Sequence, residues 1–102
     1  MALKVYFRQQ AEVDLLALYE YIAGEAGTLV AGNYIDRIEA ACMALATFPK
    51  RGTRRDDILP GLRTIGFERR ATIAFRVLKT RVEIVTIAHG GRVFERGLRE
   101  GE

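Results

Sequence analysis

The sequence predicts an α+β fold in which an antiparallel helical hairpin packs on an antiparallel β-sheet meander, with a strand before the hairpin and a short helix at the C-terminus. Three observations predict it. The first half of the chain carries two long apolar stripes at helical spacing. The second half carries three short runs of β-branched and aromatic residues. Within each half the connections are so short that neighbouring elements must run antiparallel. A chain of 102 residues with 49% hydrophobic content supports one core, so residues 1–102 are read as a single domain.

The elements follow in order. "LKVYF" (3–7) is a short run of strand formers and reads as the first strand. From Gln9 the period changes: Leu15, Leu18, Tyr19, Ile22 and Ala26 fall at i, i+3, i+4, i+7 and i+11. Glu12, Asp14 and Glu20 fall off that stripe, so residues 10–26 read as an amphipathic helix. Gly27 is placed to end it and Thr28 to cap the next. In the second helix Ala31, Tyr34, Ile35, Ile38, Ala41, Cys42, Leu45 and Phe48 make one stripe, and Pro49 stops it. "KRGTRRDDILPG" (50–61) is polar, with two glycines and a proline, and reads as a loop. Three strands follow, "LRTIGF" (62–67), "ATIAFRVL" (71–78) and "RVEIVTIA" (81–88). Their connections lack an Asn-Gly or Asp-Gly signal, which leaves the register open. A sheet needs its apolar face covered, and the helical hairpin is the large apolar surface that can cover it. In "RVFERGLRE", Val93, Phe94 and Leu98 are candidate anchors for a small terminal helix.

Composition removes several function classes. No apolar stretch approaches 18 residues and "MALKVYF" lacks the features of a signal peptide, so a soluble, cytoplasmic protein without a membrane segment is expected. One cysteine, Cys42, cannot make an internal disulfide, and one histidine cannot complete a Cys/His zinc site. Neither metal nor cofactor is expected. Charge is polarised along the chain: residues 1–48 hold three bases and six acids, whereas residues 49–102 hold 13 bases and 7 acids. That asymmetry fits either an acidic partner or nucleic acid, or simply an arginine-rich solvated surface.

The conspicuous side chains admit paired readings. His89, followed by Gly90, Gly91 and Arg92, is either a general base beside a phosphate-binding arginine or the end of a strand whose glycines let the backbone turn. Arg51, Arg54 and Arg55 either meet an acidic partner or DNA, or pair with the adjacent Asp56 and Asp57. Arg69 and Arg70 sit at a hairpin tip, where charges are normally solvated. Arg76, inside a strand, either projects from the open face of the sheet towards a partner or packs with its stem. Cys42 lies on a helix stripe and reads as a small buried hydrophobe.

"AEVDLLALYEYIA" (11–23), "FPKRG" (48–52), "LPGLR" (59–63) and "IAHGGR" (87–92), in that order and spacing, resemble the ParE branch of the RelE/ParE toxin superfamily, the plasmid stabilisation toxins. The resemblance spans nearly the whole chain. It implies the toxin half of a type II toxin–antitoxin pair, neutralised by a ParD-type antitoxin whose flexible C-terminal segment wraps the toxin. Operator DNA would be met only through the complex with that antitoxin. Two mechanisms compete within the superfamily: ParE-like members inhibit DNA gyrase by binding, and RelE-like members cut messenger RNA on the ribosome.

Metal-free RNA cleavage needs a base, cations for the phosphate and an acid for the leaving oxygen. By resemblance, Arg63 falls near a RelE lysine and Arg92 near an arginine just past the last strand. Thr72 and Leu98, however, stand where RelE carries an arginine and a tyrosine. A ribonuclease would therefore rest on Arg63, His89 and Arg92. The gyrase reading assigns no catalytic residue and leaves Arg51, Arg54, Arg55, Arg63, Arg76 and Arg92 as partner-binding candidates. A degenerate module that keeps its antitoxin but has lost its target is the third alternative.

Overall fold

The computed structural model describes residues 3–89. In chain order these form β1 (Lys4–Phe7), α1 (Gln9–Ala26), α2 (Thr28–Ala44), β2 (Thr53–Arg54), β3 (Leu62–Phe67), β4 (Ala71–Val77) and β5 (Arg81–His89). One sheet contains all the strands in the order β1-β5-β4-β3-β2. The meander β3–β4–β5 is antiparallel, as expected. β1 joins it in parallel, from Lys4 opposite Arg81 to Phe7 opposite Ile84, which makes the sheet mixed. A parallel partner needs a long crossover, and the helical hairpin is the first part of it. The expected C-terminal helix over Val93, Phe94 and Leu98 lies outside the described residues.

β2 corrects the reading of residues 50–61 as a plain loop. Thr53 pairs with Thr64 and Arg54 with Arg63, a ladder too short to leave a period in the sequence. Gly52 makes the approach possible. Its φ is +78°, and a Cβ there would collide with the carbonyl of Thr64.

Two helix boundaries also differ from expectation. Gly27, with φ +96°, donates its N–H to the Ala23 carbonyl at 2.9 Å and accepts from the Ala31 N–H at 3.1 Å. It therefore ends α1 and caps α2 at once, and Thr28 is already helical. At the other end α2 stops at Ala44, after which Leu45, Ala46 and Thr47 donate to the carbonyls three residues back. Pro49 disfavours helical backbone at the residue before it. Phe48 consequently leaves the stripe and is 66% exposed, while Leu45 stays buried.

The helices cover one face of the sheet. Leu15, Leu18 and Ile22 of α1 and Tyr34, Ile38 and Cys42 of α2 pack with Ile73, Phe75, Val82, Ile84 and Ile87. Each large side chain so buried contributes about 1.5–3 kcal/mol. Burial pushes the Cys42 thiol up to about 12, so it packs as a neutral hydrophobe. Asp14, read as off the stripe, is in fact buried. It accepts from Gln10 Nε2 at 2.8 Å, from the Thr86 hydroxyl and from the Ile87 N–H at 2.9 Å. The register shifts between Ala74 and Phe75, where β5 carries one extra residue, and Asp14 serves the backbone beside that bulge. Across the sheet, residues 55–61 fold back so that Ile58 and Leu59 pack on Leu62, Ala74 and Val85.

Candidate functional site

His89 is the last residue of β5, opposite Ala71, on the side of the sheet that carries the helices. Its ring lies 5.1 Å from that of Tyr21 on α1, at 36°. Both line an open cleft of about 520 Å³. Leu18, Ile22 and Val30 give it an apolar wall, and Glu25, Arg69 and Arg70 supply charge.

The two arginines come from the β3–β4 turn, where Glu68 and Arg69 have φ of +48° and +58° and Arg70 N–H bonds the Phe67 carbonyl at 3.1 Å. That is the mirror-image hairpin turn without its usual Asn or Gly, so no local residue signal marks it. Side chains hold it instead. Arg37 of α2 grips Glu68 through both oxygens, at 2.8 and 3.0 Å, and Phe67 meets Tyr34 edge-on at 5.5 Å. The hydrogen bonds from Arg37 lower the Glu68 carboxyl and raise the guanidinium. Burial, then the Glu68 charge, raises the Tyr34 phenol, whose hydroxyl finds no hydrogen-bond partner among the described residues.

Of the residues a ribonuclease would need, Arg63 and His89 are not brought together. Arg63 pairs with Phe75 and His89 with Ala71, four residues further along β4 and on its opposite side. At about 3.3 Å per residue and about 4.8 Å per strand, the two backbones stand roughly 16 Å apart. Phe75 and Ile73, both buried, fill the space between. A general base must come within hydrogen-bond reach of the proton it takes. Arg92 lies outside the described residues. Thr72 stands on the other face of the sheet from His89, opposite Gly66 and Ala88.

The basic loop is largely paired within itself. Arg54 meets Asp56 at 3.1 Å, and Arg55 holds Asp57 through two contacts of 3.0 Å. Asp56 also accepts the Gly61 N–H at 2.8 Å; that bond, ahead of the Arg54 charge, holds its carboxyl below the usual range. Arg51 is exposed, and its carbonyl takes a long 3.5 Å bond from Arg63 Nη1.

Arg76 resolves to the open face. It stands in register with Glu83 of β5, which stands in register with Tyr6 of β1. Two residues that the sequence reading left out join this row. Arg8, at the β1–α1 junction, places Nε 3.3 Å from Glu83, and Arg81 reaches the same carboxylate at 3.9 Å, as does Arg76. Arg81 shares its strand face with Glu83 two residues on, whereas strand pairing and the β1–α1 junction bring Arg76 and Arg8 to it, which no motif marks.

Among the described residues no group of three or more His, Cys, Asp or Glu could hold a metal ion, and no helix is long and apolar enough to cross a membrane.

The helical hairpin on one face of a five-stranded sheet is a RelE/ParE-like toxin fold, as the similar solved structures show. Among solved structures the chain is similar to one titled as the chromosomal ParDE toxin–antitoxin system from P. aeruginosa. The TM-score is 0.76 and the identity 25%, over 86% of this chain and 96% of that one. It shares its fold with a chain of the toxin–antitoxin complex RelBE2 from Mycobacterium tuberculosis, with TM-score 0.63 and 19% identity over 88% and 100%. It also shares the fold of a mutant of the E. coli toxin RelE in the free state, with TM-score 0.68 and 13% identity over 99% and 97%. No curated protein matches the sequence. Residues 5–94 match the family described as the ParE toxin of the type II toxin–antitoxin system parDE, and the chain belongs to that family.

Proposed function

We propose that this ParE-family toxin acts in the cytoplasm by binding DNA gyrase and stalling its DNA-cleavage cycle, and that it does no acid–base chemistry of its own. The observation that carries this reading is the separation of His89 from Arg63: His89 stacks on Tyr21 at one end of the helix-covered face, with buried core between it and Arg63. At that distance Arg63 cannot stabilise the phosphate of a substrate whose 2′-hydroxyl His89 would deprotonate.

The partner that restrains it is a ParD-type antitoxin. The similar structures from P. aeruginosa and M. tuberculosis are titled as toxin–antitoxin pairs, which supports such a partner. The cleft beside His89 suits a flexible segment with apolar anchors and acidic groups, since Leu18, Ile22 and Val30 offer apolar surface and Arg69 and Arg70 offer charge. Operator DNA is met through the antitoxin complex.

The test is to express the chain without antitoxin, then compare transcript integrity with trapped gyrase–DNA breaks, and to assay supercoiling by purified gyrase. Inhibited supercoiling and trapped breaks with intact transcripts are expected. Transcript cleavage that disappears in His89→Ala or Arg92→Ala would overturn the reading, and unimpaired growth with uninhibited gyrase would mark a degenerate module.

A further inference from the structure

We infer that the corner of the open face where β1, β5 and β4 meet is a contact surface for the phosphate backbone of duplex DNA, formed by Arg8, Arg76 and Arg81 around Glu83. The register Tyr6–Glu83–Arg76 puts these positions on one face, and Arg81, opposite Lys4, lies two residues before Glu83 on the same side. Three guanidiniums converge on one carboxylate whose side chain is only 9% exposed. Two of those ion pairs are stretched to 3.9 Å. Neither Arg76 Nε nor Glu83 Oε1 has a hydrogen-bond partner among the described residues.

Each guanidinium carries five N–H donors, and one carboxylate cannot use those of three. The arginine side chains are 30–48% exposed, so the surplus donors and the surplus positive charge face solvent. Lys4, also exposed, adds to the excess. Glu83 thus gathers the cations without neutralising them.

The chemistry that matches is an acceptor with several oxygens and repeated negative charge. Guanidinium forks match phosphate geometry and neutralise it without reading bases. A single strand would want a free aromatic platform, but the Tyr6 ring already carries the Arg81 guanidinium at 5.1 Å from its centre. An acidic peptide would want an apolar pocket beside the charge, and the cleft with that character lies across the sheet, next to His89. Backbone contact with a duplex needs neither. The surface goes beyond the gyrase assignment and is tested without gyrase, so either can fail alone.

The experiment is fluorescence anisotropy of a labelled duplex with the purified full chain, titrated across salt concentration. Three phosphate contacts give a log–log salt slope of about −2.7. Arg8→Ala with Arg81→Ala should lower the affinity at low salt at least about tenfold and make the slope shallower by about 2. Thermal unfolding of this variant, measured in parallel, should match the parent. Glu83→Gln should tighten binding, an effect of opposite sign that loss of structure cannot mimic. Wild-type affinity and slope in the double variant would overturn the inference. So would tighter binding of poly-glutamate than of duplex DNA.

Discussion

The two faces of the sheet use charge in opposite ways. On the helix side the buried carboxylate of Asp14 is saturated, taking bonds from Gln10, Thr86 and Ile87. On the open side the equally buried Glu83 is surrounded by three arginines and satisfies none of them fully. A saturated buried charge fixes structure, because removing it strands its partners. An under-matched one leaves cations available to something else. The basic loop falls between the two, with Arg54 and Arg55 each holding an aspartate two residues away.

Three variants test this division, beginning with the costliest. Phe75→Ala empties the centre of the helix-covered core, where the ring is wholly buried, and should cost about 3–5 kcal/mol in denaturant unfolding. Asp14→Ala leaves the Thr86 hydroxyl and the Ile87 N–H without their acceptor and should cost about 2–4 kcal/mol. On the open face, Arg8→Ala with Arg81→Ala should cost less than about 1 kcal/mol, since both side chains are nearly half exposed. If the open-face pair proved as costly as Asp14, the division between structural and available charge would collapse.

The smallest expected effect concerns pH. Glu68 and Asp56 have folded-state pKa values lowered by Arg37 and by Gly61 N–H respectively. Their stabilisation is therefore complete above the unfolded-state carboxylate range and is lost as pH falls through the lower folded values. Thermal unfolding followed from about pH 6 down to about pH 2 should show a shallower acid loss in Glu68→Gln than in the parent. Equal acid sensitivity would mean that the Arg37 pair does not hold the strained turn.

What the sequence disclosed follows from the range of each interaction. The helices and the three-strand meander were legible because their signals are local: a 3.6-residue stripe, β-branched runs and connections of two or three residues. β1 could be seen as a strand, but its parallel pairing with β5 depends on where a crossover of more than seventy residues returns, and no local pattern encodes that. Asp14 read as surface because it falls off the apolar stripe, yet the bulge in β5 turns a backbone N–H towards it. Arg54 and Arg55 with their aspartates were visible as neighbours in sequence. The cluster of Arg8, Arg76 and Arg81 was not, since it joins β4, β5 and the β1–α1 junction. Of the candidate site, the strand end at His89 is legible in the sequence, whereas its ring contact with Tyr21 requires the hairpin to be in place.

The central claim is that this toxin works by docking and lacks a proton-transfer apparatus. Its most direct test is to incubate the purified chain with ribosomes stalled on a defined transcript and to map the RNA 5′ ends across pH. Transcripts should stay intact at every pH. Cleavage whose rate follows the titration of a single imidazole, and which vanishes in His89→Gln, would contradict it.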